Sequence, residues 1–369
     1  MSLQPRPELN NLKACPHGGI DYSEVKALGL SPGEILDFSV CSNPYKIPEG
    51  IRKSINTIDI AQYPDPDVNE FRQRLSQKLG LSPDNILAGN GVTELIRLIS
   101  MTYFRQDDSI LILEPSFGEY EVACHIAGAK PVKQWMELEN NFTPKITETI
   151  NLIKKCHPRG VFICNPNNPT GKYLSKQEIE MILAAREDTL FILDEAYINF
   201  VDNSWSALDL IKRNNVIILR SMTKDYALAG LRLGYAIANQ EIIENIRLVR
   251  PPWNVNTIAQ KIGIIALDEV IYLEQSKKQI KQAKQFLIDE LCQLDFQPLP
   301  SDTHFFLVRV GNATSFRLSL LKNGILVRDC TSFGLPEYIR IAPRTMPECQ
   351  QLITTIQKQG ERRELHAGI

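Results

Sequence analysis

Five short runs in the middle of the chain are apolar almost from end to end: residues 109–113 (SILIL), 161–164 (VFIC), 190–193 (LFIL), 216–219 (VIIL) and 234–238 (GYAIA). Unbroken apolarity, rather than alternation with polar residues, marks strands covered on both faces, as in a mostly parallel sheet. Between these runs lie stretches whose apolar residues recur at helical spacing. The clearest is 175–186 (SKQEIEMILAAR), with Ser175 placed to cap the helix N-terminus. Strands alternating with helices in this way predict an α/β fold.

After about Pro251 the pattern changes. A lysine- and glutamine-rich helical region at 255–294 precedes strands at 304–310, 324–328 and 338–341 and a final helix over 347–359. This predicts a smaller α+β unit. The expected division is an N-terminal arm and small-domain segment over 1–43, a large domain over 44–250 and a small C-terminal domain over 251–369, with a solvated tail at 361–369.

Charge narrows the possible partners. Lysine plus arginine number 41 against 43 acids, a net charge of −2, which excludes a broad basic surface for nucleic acid or an anionic membrane. With 43 % hydrophobic and 23 % charged residues the chain is too apolar for disorder. No apolar run is long enough to span a bilayer. The opening MSLQPRPELNNLKAC lacks the hydrophobic core of a signal peptide, so a cytoplasmic location is expected. None of the eight cysteines sits in a C-x-x-C pair, and the five histidines show no zinc-ligand spacing. Buried thiols, and no metal site, are therefore expected.

In an open parallel α/β sheet, ligands bind beyond the carboxyl ends of the strands. Asn165-Pro-Asn-Asn-Pro-Thr-Gly171 follows the VFIC run and is either a plain turn or a rigid loop presenting amides, Asn168 among them. Asp194 follows LFIL; an acid there is poorly hydrated and needs a donor or a cation, unless it simply caps a helix. A protonated pyridinium nitrogen is one matching partner. Lys224 follows VIIL closely, although most lysines are solvated surface groups. Ser221 and Arg232 flank it and can together hold a phosphate. Gly89-Asn-Gly-Val-Thr-Glu94 opens a helical pattern, so Gly91, Val92 and Thr93 offer backbone N–H groups to an anion. That segment is neither G-x-G-x-x-G nor a P-loop. Phe117, after SILIL, is core packing or a stacking face for a flat ring.

Taken in order, GNGVTE, EPSFGEY, NPNNPTG, DEAY and SMTK-x₇-R resemble the motifs of the pyridoxal-phosphate enzymes of aspartate-aminotransferase fold, over about residues 15–360. The resemblance implies a large domain with a mostly parallel sheet plus a smaller α+β domain, and pyridoxal 5'-phosphate as cofactor. Lys224 would bond covalently to the cofactor and shuttle protons. Asp194 would pair with the ring nitrogen, Asn168 and Tyr197 with the ring oxygen, and Phe117 would stack on the ring. Gly91, Val92, Thr93, Ser221 and Arg232 would hold the phosphate. Tyr63, in QYPDPD, would reach the cofactor phosphate of a neighbouring subunit in a homodimer with shared sites.

Within the family, the chain is most similar to L-threonine-O-3-phosphate decarboxylases of cobalamin biosynthesis, and next to histidinol-phosphate aminotransferases. The former likeness rests on His17-Gly18-Gly19, LDFS at 36–39, ILAGNG at 86–91, LRSMTK at 219–224, PWNVN at 252–256 and ILVR at 325–328. It implies a small phosphorylated amino-acid substrate, held by His17, Gly18, Gly19, Asn168, Arg328 and Arg340, and decarboxylation as the reaction. Transamination with 2-oxoglutarate is the alternative. Three departures from the family pattern stand out: Cys41 and His304 where asparagines are usual, and Asp225 where an aromatic is usual. Cys41 and Asp225 are expected near the pocket.

Overall fold

The structure is a computed structural model describing residues 3–4, 6–9, 12 and 14–367, with side chains up to 359. In chain order its strands are β1 (Leu36–Asp37), β2 (Ile86–Gly89), β3 (Ser109–Glu114), β4 (Lys130–Trp135), β5 (Gly160–Cys164) and β6 (Leu190–Asp194). They continue with β7 (Val216–Ser221), β8 (Gly234–Ile237), β9 (Phe306–Arg309), β10 (Ile325–Leu326), β11 (Arg328–Asp329) and β12 (Tyr338–Ile341).

Seven strands form the main sheet, in the order β2-β8-β7-β6-β5-β3-β4. The five from β4 to β7 are parallel neighbours, and β8 runs against both β2 and β7. The apolar runs are continuous because alternate residues enter two different cores. Leu111, Val161, Ile163, Phe191, Leu193 and Ile218 pack on one face. Ile110, Ile112, Phe162, Ile192, Ile217 and Leu219 pack on the other. Truncating Phe162 or Phe191 to alanine would cost about 3–5 kcal/mol, since each is wholly buried between sheet and helix.

Two strands of this sheet lie outside the five predicted runs. β2 is only four residues long, and its Ala88-Gly89 end is weak strand former. β4, the edge strand, has only exposed and half-buried positions and carries Lys130, Pro131 and Lys133, the composition of a protected edge.

The C-terminal part holds a three-stranded sheet, β11-β12-β9, and a two-stranded one, β1-β10. Here the expected strand at 324–328 divides. β10 pairs in parallel with β1, whereas β11 pairs antiparallel with β12, so the chain changes sheets at Val327. This switch places Arg328 opposite Arg340. It also ties the N-terminal segment to the C-terminal core, where Phe38 packs with Leu287, Phe306, Ile339 and Leu352.

The helical region expected at 255–294 is two helices, Thr257–Ala266 and Val270–Gln293, broken where Glu269 takes ψ 49°. The last helix runs from Met346 to Ala367 rather than stopping at 359. The expected solvated tail concerns side chains outside the described residues. Among the described residues, no helix is long and apolar enough to cross a membrane.

Candidate active site

The carboxyl ends of β5, β6 and β7 open into one pocket. Its walls are Val92, Thr93, Phe117, Cys164, Asn168, Asp194, Ala196, Tyr197, Ser221, Thr223, Lys224 and Arg232, around a cavity of about 90 Å³. Nearly every residue expected to hold the cofactor is on that wall. Gly91 stands just behind it.

Asp194 ends β6 and is 3 % exposed. Its Oδ2 accepts from the Tyr120 hydroxyl at 2.7 Å and its Oδ1 from the Ala196 backbone N–H at 3.0 Å. Burial pushes its pKa above the usual carboxylate range; the Tyr120 hydrogen bond, the Ala196 N–H and the charge of Lys224 oppose that rise. Tyr120, 0 % exposed, stacks on Phe162 with ring centroids 4.7 Å apart. Sequence reasoning missed Tyr120, whose only signal is a polar tip among the apolar residues of the helix Glu119–Ala127.

Lys224 is half-buried just beyond β7, and burial lowers its pKa from the usual lysine value. Its Nζ lies 5.9 Å from the centre of the Tyr197 ring. Its backbone carbonyl accepts from Asn43 N–H at 2.7 Å, which fixes the turn.

On the phosphate side, the helix Val92–Tyr103 begins at Gly91, which has φ 79° and offers no side-chain cap. The first N–H groups of that helix therefore face the pocket without a capping side chain. A β-carbon at Gly91 would lie 2.6 Å from Arg232 Nη2, so glycine is what lets the guanidinium close over the helix end. Ser221 Oγ, 2.7 Å from Thr223 Oγ1, completes this cradle. An uncapped helix end, an arginine and two hydroxyls suit a phosphate.

Asn168 joins the pocket to a second group of residues. Its Oδ1 accepts from Arg340 Nη1, while Arg340 Nη2 donates to the Ser39 carbonyl at 2.7 Å. The buried Nε of Arg340 has no hydrogen-bond partner among the described residues. Arg328 Nη2 donates to the Pro16 carbonyl and to Ser332 Oγ, each at 2.7 Å. Arg328 lines an adjoining cavity together with His17, Gly18, Gly19 and Ser39. Gly18 is required there because a β-carbon would fall 2.5 Å from the Ser39 carbonyl oxygen. The His17 ring lies 5.8 Å from Phe117, so the two cavities meet at these rings.

Several residues singled out by the sequence lie off the pocket wall. Asp225 does not face the pocket: its carboxylate accepts from Asn199 Nδ2 and from the Tyr226 N–H at 3.1 Å, on the far side of the turn. Successive residues of a turn point in different directions, and sequence adjacency to Lys224 misled. Tyr63 is 79 % exposed, stacks on Trp253 at 4.5 Å, and does not line the pocket of its own chain. Cys41 lies near the pocket as expected, buried against the wall residue Tyr197 and against Phe305 and Ala342. His304 is buried with its ring 3.7 Å from that of Phe200, and burial holds its pKa well below the usual value. Arg344 pairs with Glu348 at 2.8 Å.

Residues 28–356 match the family model of aminotransferase class I and II. The chain belongs to that family. Its cofactor is pyridoxal 5'-phosphate, and the fold is that of the aspartate aminotransferases. A histidinol-phosphate aminotransferase of Thermoanaerobacter pseudethanolicus is 34 % identical over 314 residues, 83 % of this chain and 87 % of that one. An adenosylcobalamin biosynthesis bifunctional protein, CobDQ, of Leptospira interrogans is 36 % identical over 348 residues, 91 % of this chain but 40 % of that one. The crystal structure of L-threonine-O-3-phosphate decarboxylase from Porphyromonas gingivalis superposes with a TM-score of 0.78 at 29 % identity, covering 88 % of this chain and 99 % of that one.

The pocket of this aminotransferase-family chain fits the cofactor on its own geometry. The helix end with Arg232 and Ser221 matches a phosphate, buried Asp194 matches a ring N–H⁺, and the Lys224 amine is within the same walls. When bound, the cofactor supplies an electron sink for bonds at the substrate α-carbon.

Proposed function

We propose that this enzyme decarboxylates L-threonine O-3-phosphate to (R)-1-amino-2-propanol O-2-phosphate. The observation that carries the reading is the register pair Arg328–Arg340 beside His17-Gly18-Gly19. Residues directly opposite on neighbouring strands lie about 4.5–5.5 Å apart and project from the same face. Two guanidiniums so placed suit a substrate that carries two anions on adjacent carbons, a carboxylate on Cα and a phosphate on Cβ.

In this reading Arg340 takes the carboxylate, exchanging its bond to Asn168 for the substrate, and Arg328 takes the phosphate with His17 and the backbone of Gly18 and Gly19. Asp194 would hold the proton of the cofactor ring nitrogen, and Asn168 and Tyr197 would orient the ring. Burial lowers the Lys224 pKa from the ordinary lysine value, and its amine is placed to pass a proton to the α-carbon. The two arginine anchors would set the orientation of the bond between Cα and the carboxylate, which leaves as carbon dioxide while the bound cofactor would take up the electron pair.

A second reading, transamination of histidinol phosphate with 2-oxoglutarate, is supported by the 34 % identity to the Thermoanaerobacter enzyme over 87 % of that chain. The same lysine would then move a proton between two carbons. In both readings exposed Tyr63 serves the site of a second copy in a homodimer, and the enzyme works in the cytoplasm.

Purified enzyme given phosphothreonine, or histidinol phosphate with 2-oxoglutarate, with products identified by mass, separates the two. Carbon dioxide and aminopropanol phosphate are expected. Their absence, with glutamate formed instead, would overturn the first reading in favour of the second.

A further inference from the structure

Three metal-ligating side chains converge where the N-terminal arm crosses the helix Glu119–Ala127. The Cys15 thiol, the His17 imidazole and the Glu119 carboxylate each place one ligand atom within 4.8 Å of the other two. His17 Nε2 already lies 3.0 Å from Glu119 Oε1. We propose that these three residues form a binding site for one divalent transition-metal ion, with zinc as the preferred occupant.

The donor set decides the class of ion. A thiolate and an imidazole favour zinc and similar borderline metals and disfavour magnesium and calcium, which want oxygen alone. Three protein donors leave a fourth position for water or another small ligand.

The geometry is close to what such an ion needs. Bonds of about 2.3 Å to sulfur and about 2.0–2.2 Å to nitrogen and oxygen put tetrahedral donors about 3.3–3.6 Å apart. The His17–Glu119 pair, at 3.0 Å, must open slightly, and the sulfur, within 4.8 Å of the other two ligand atoms, must close by about an ångström at most. The parts that have to move can do so. Cys15 and His17 lie on a stretch without regular secondary structure, whereas Glu119 is buried and held by its helix. Its other oxygen, Oε2, accepts from Arg97 Nη2 at 3.1 Å, which orients the carboxylate and leaves Oε1 toward the arm.

The proton balance is simple. Cys15 releases its thiol proton to solvent; the neutral imidazole keeps one proton, moved to Nδ1 as Nε2 ligates. With the thiolate formed, two negative charges face one dication and the Arg97 guanidinium. The sequence hid this site because only Cys15 and His17 are near in the chain; Glu119 is 102 residues away from His17. The site shares His17 with the proposed substrate-phosphate site, so a metal bound at Nε2 leaves that imidazole only its Nδ1–H for the substrate.

The test is titration of the chelator-treated holoenzyme with cobalt(II), followed by displacement with zinc. Ligand-field bands at wavelengths beyond the cofactor absorption, a sulfur-to-cobalt charge-transfer band and one equivalent per chain are expected. Cys15→Ser, at a partly exposed position on the arm, should weaken zinc binding by about tenfold or more and abolish the charge-transfer band. His17→Gln should weaken it comparably. No ligand-field band in the wild type, or binding unchanged in both variants, would overturn the proposal.

Discussion

Arg328 and Arg340 face each other across the β11–β12 ladder, each buried, with neither paired to a carboxylate among the described residues. Their partners are the carbonyls of Pro16 and Ser39, the hydroxyl of Ser332 and the amide of Asn168. Two like charges held a strand spacing apart by neutral acceptors raise each other's cost, and an anionic ligand relieves it. Burial, followed by the charge of Arg340, lowers the Arg328 pKa, whereas the Arg340 pKa is raised, its burial outweighed by the pull of Cys41, Tyr197, Cys330 and Asp37.

Replacing Arg328 should therefore weaken substrate binding more than it harms the fold. Arg328→Ala is expected to raise KM for a phosphorylated substrate by a factor equivalent to about 2–5 kcal/mol, with a smaller effect on kcat. Arg328→Lys should recover part of the charge but not the planar fork. Steady-state kinetics with the preferred substrate checks this. A variant with unchanged KM would remove Arg328 from the substrate site.

Lys224→Ala should leave a folded protein without covalently held cofactor. Borohydride treatment of the wild type should fix the cofactor to the peptide containing Lys224, and the variant should show no such adduct. Turnover should fall by about 10²–10⁴-fold or more, since the residue also moves the proton. Circular dichroism alongside peptide mass mapping reads both outcomes; an adduct at another lysine would displace Lys224 from its place.

Most of the large sheet was legible because its strands are buried on both faces, and that condition writes itself as runs such as LFIL. Edge strand β4 was not legible, because a protected edge has the composition of a loop. The pocket was legible where chemistry follows a strand end directly, as with Asp194 and Lys224. It failed where a turn's geometry decides direction: Asp225, next to Lys224, points away toward Asn199. Tyr120 escaped notice because nothing in a single helix reveals that its hydroxyl meets a carboxylate 74 residues downstream.

Tyr120→Phe tests that contact. The ring keeps its stack on Phe162, so the fold should hold, while Asp194 loses its strongest opposing influence against burial. The Asp194 pKa should rise further and its hold on a protonated ring nitrogen weaken. A hydrogen bond to a charged group is worth about 1.5–3 kcal/mol, so cofactor affinity should drop by about 10–100-fold. Equilibrium dialysis of the apoenzyme against pyridoxal 5'-phosphate measures it, and equal affinities would show that Tyr120 merely fills space.

Asp225 should set part of the pH dependence of stability. Burial pushes its pKa up to about 6 from an ordinary 3.8, despite the hydrogen bonds from Asn199 and the Tyr226 N–H. A carboxyl whose folded pKa lies above its unfolded value binds its proton more tightly in the folded state. Its favourable contribution is complete below the unfolded pKa and lost as pH climbs through the folded one. The shift corresponds to about 3 kcal/mol at most, spread over the interval from about pH 4 to about pH 6. Asp194, Glu114 and Glu195 are also raised by burial and slope the same way, so the wild-type curve alone does not isolate Asp225. Asp225→Asn removes only its own titration while keeping shape. The difference in urea midpoint between wild type and Asp225→Asn should shift against the wild type as pH rises across that interval and level off above it. A difference that stays constant from pH 4 to pH 7 would show that Asp225 titrates alike in the folded and unfolded chain.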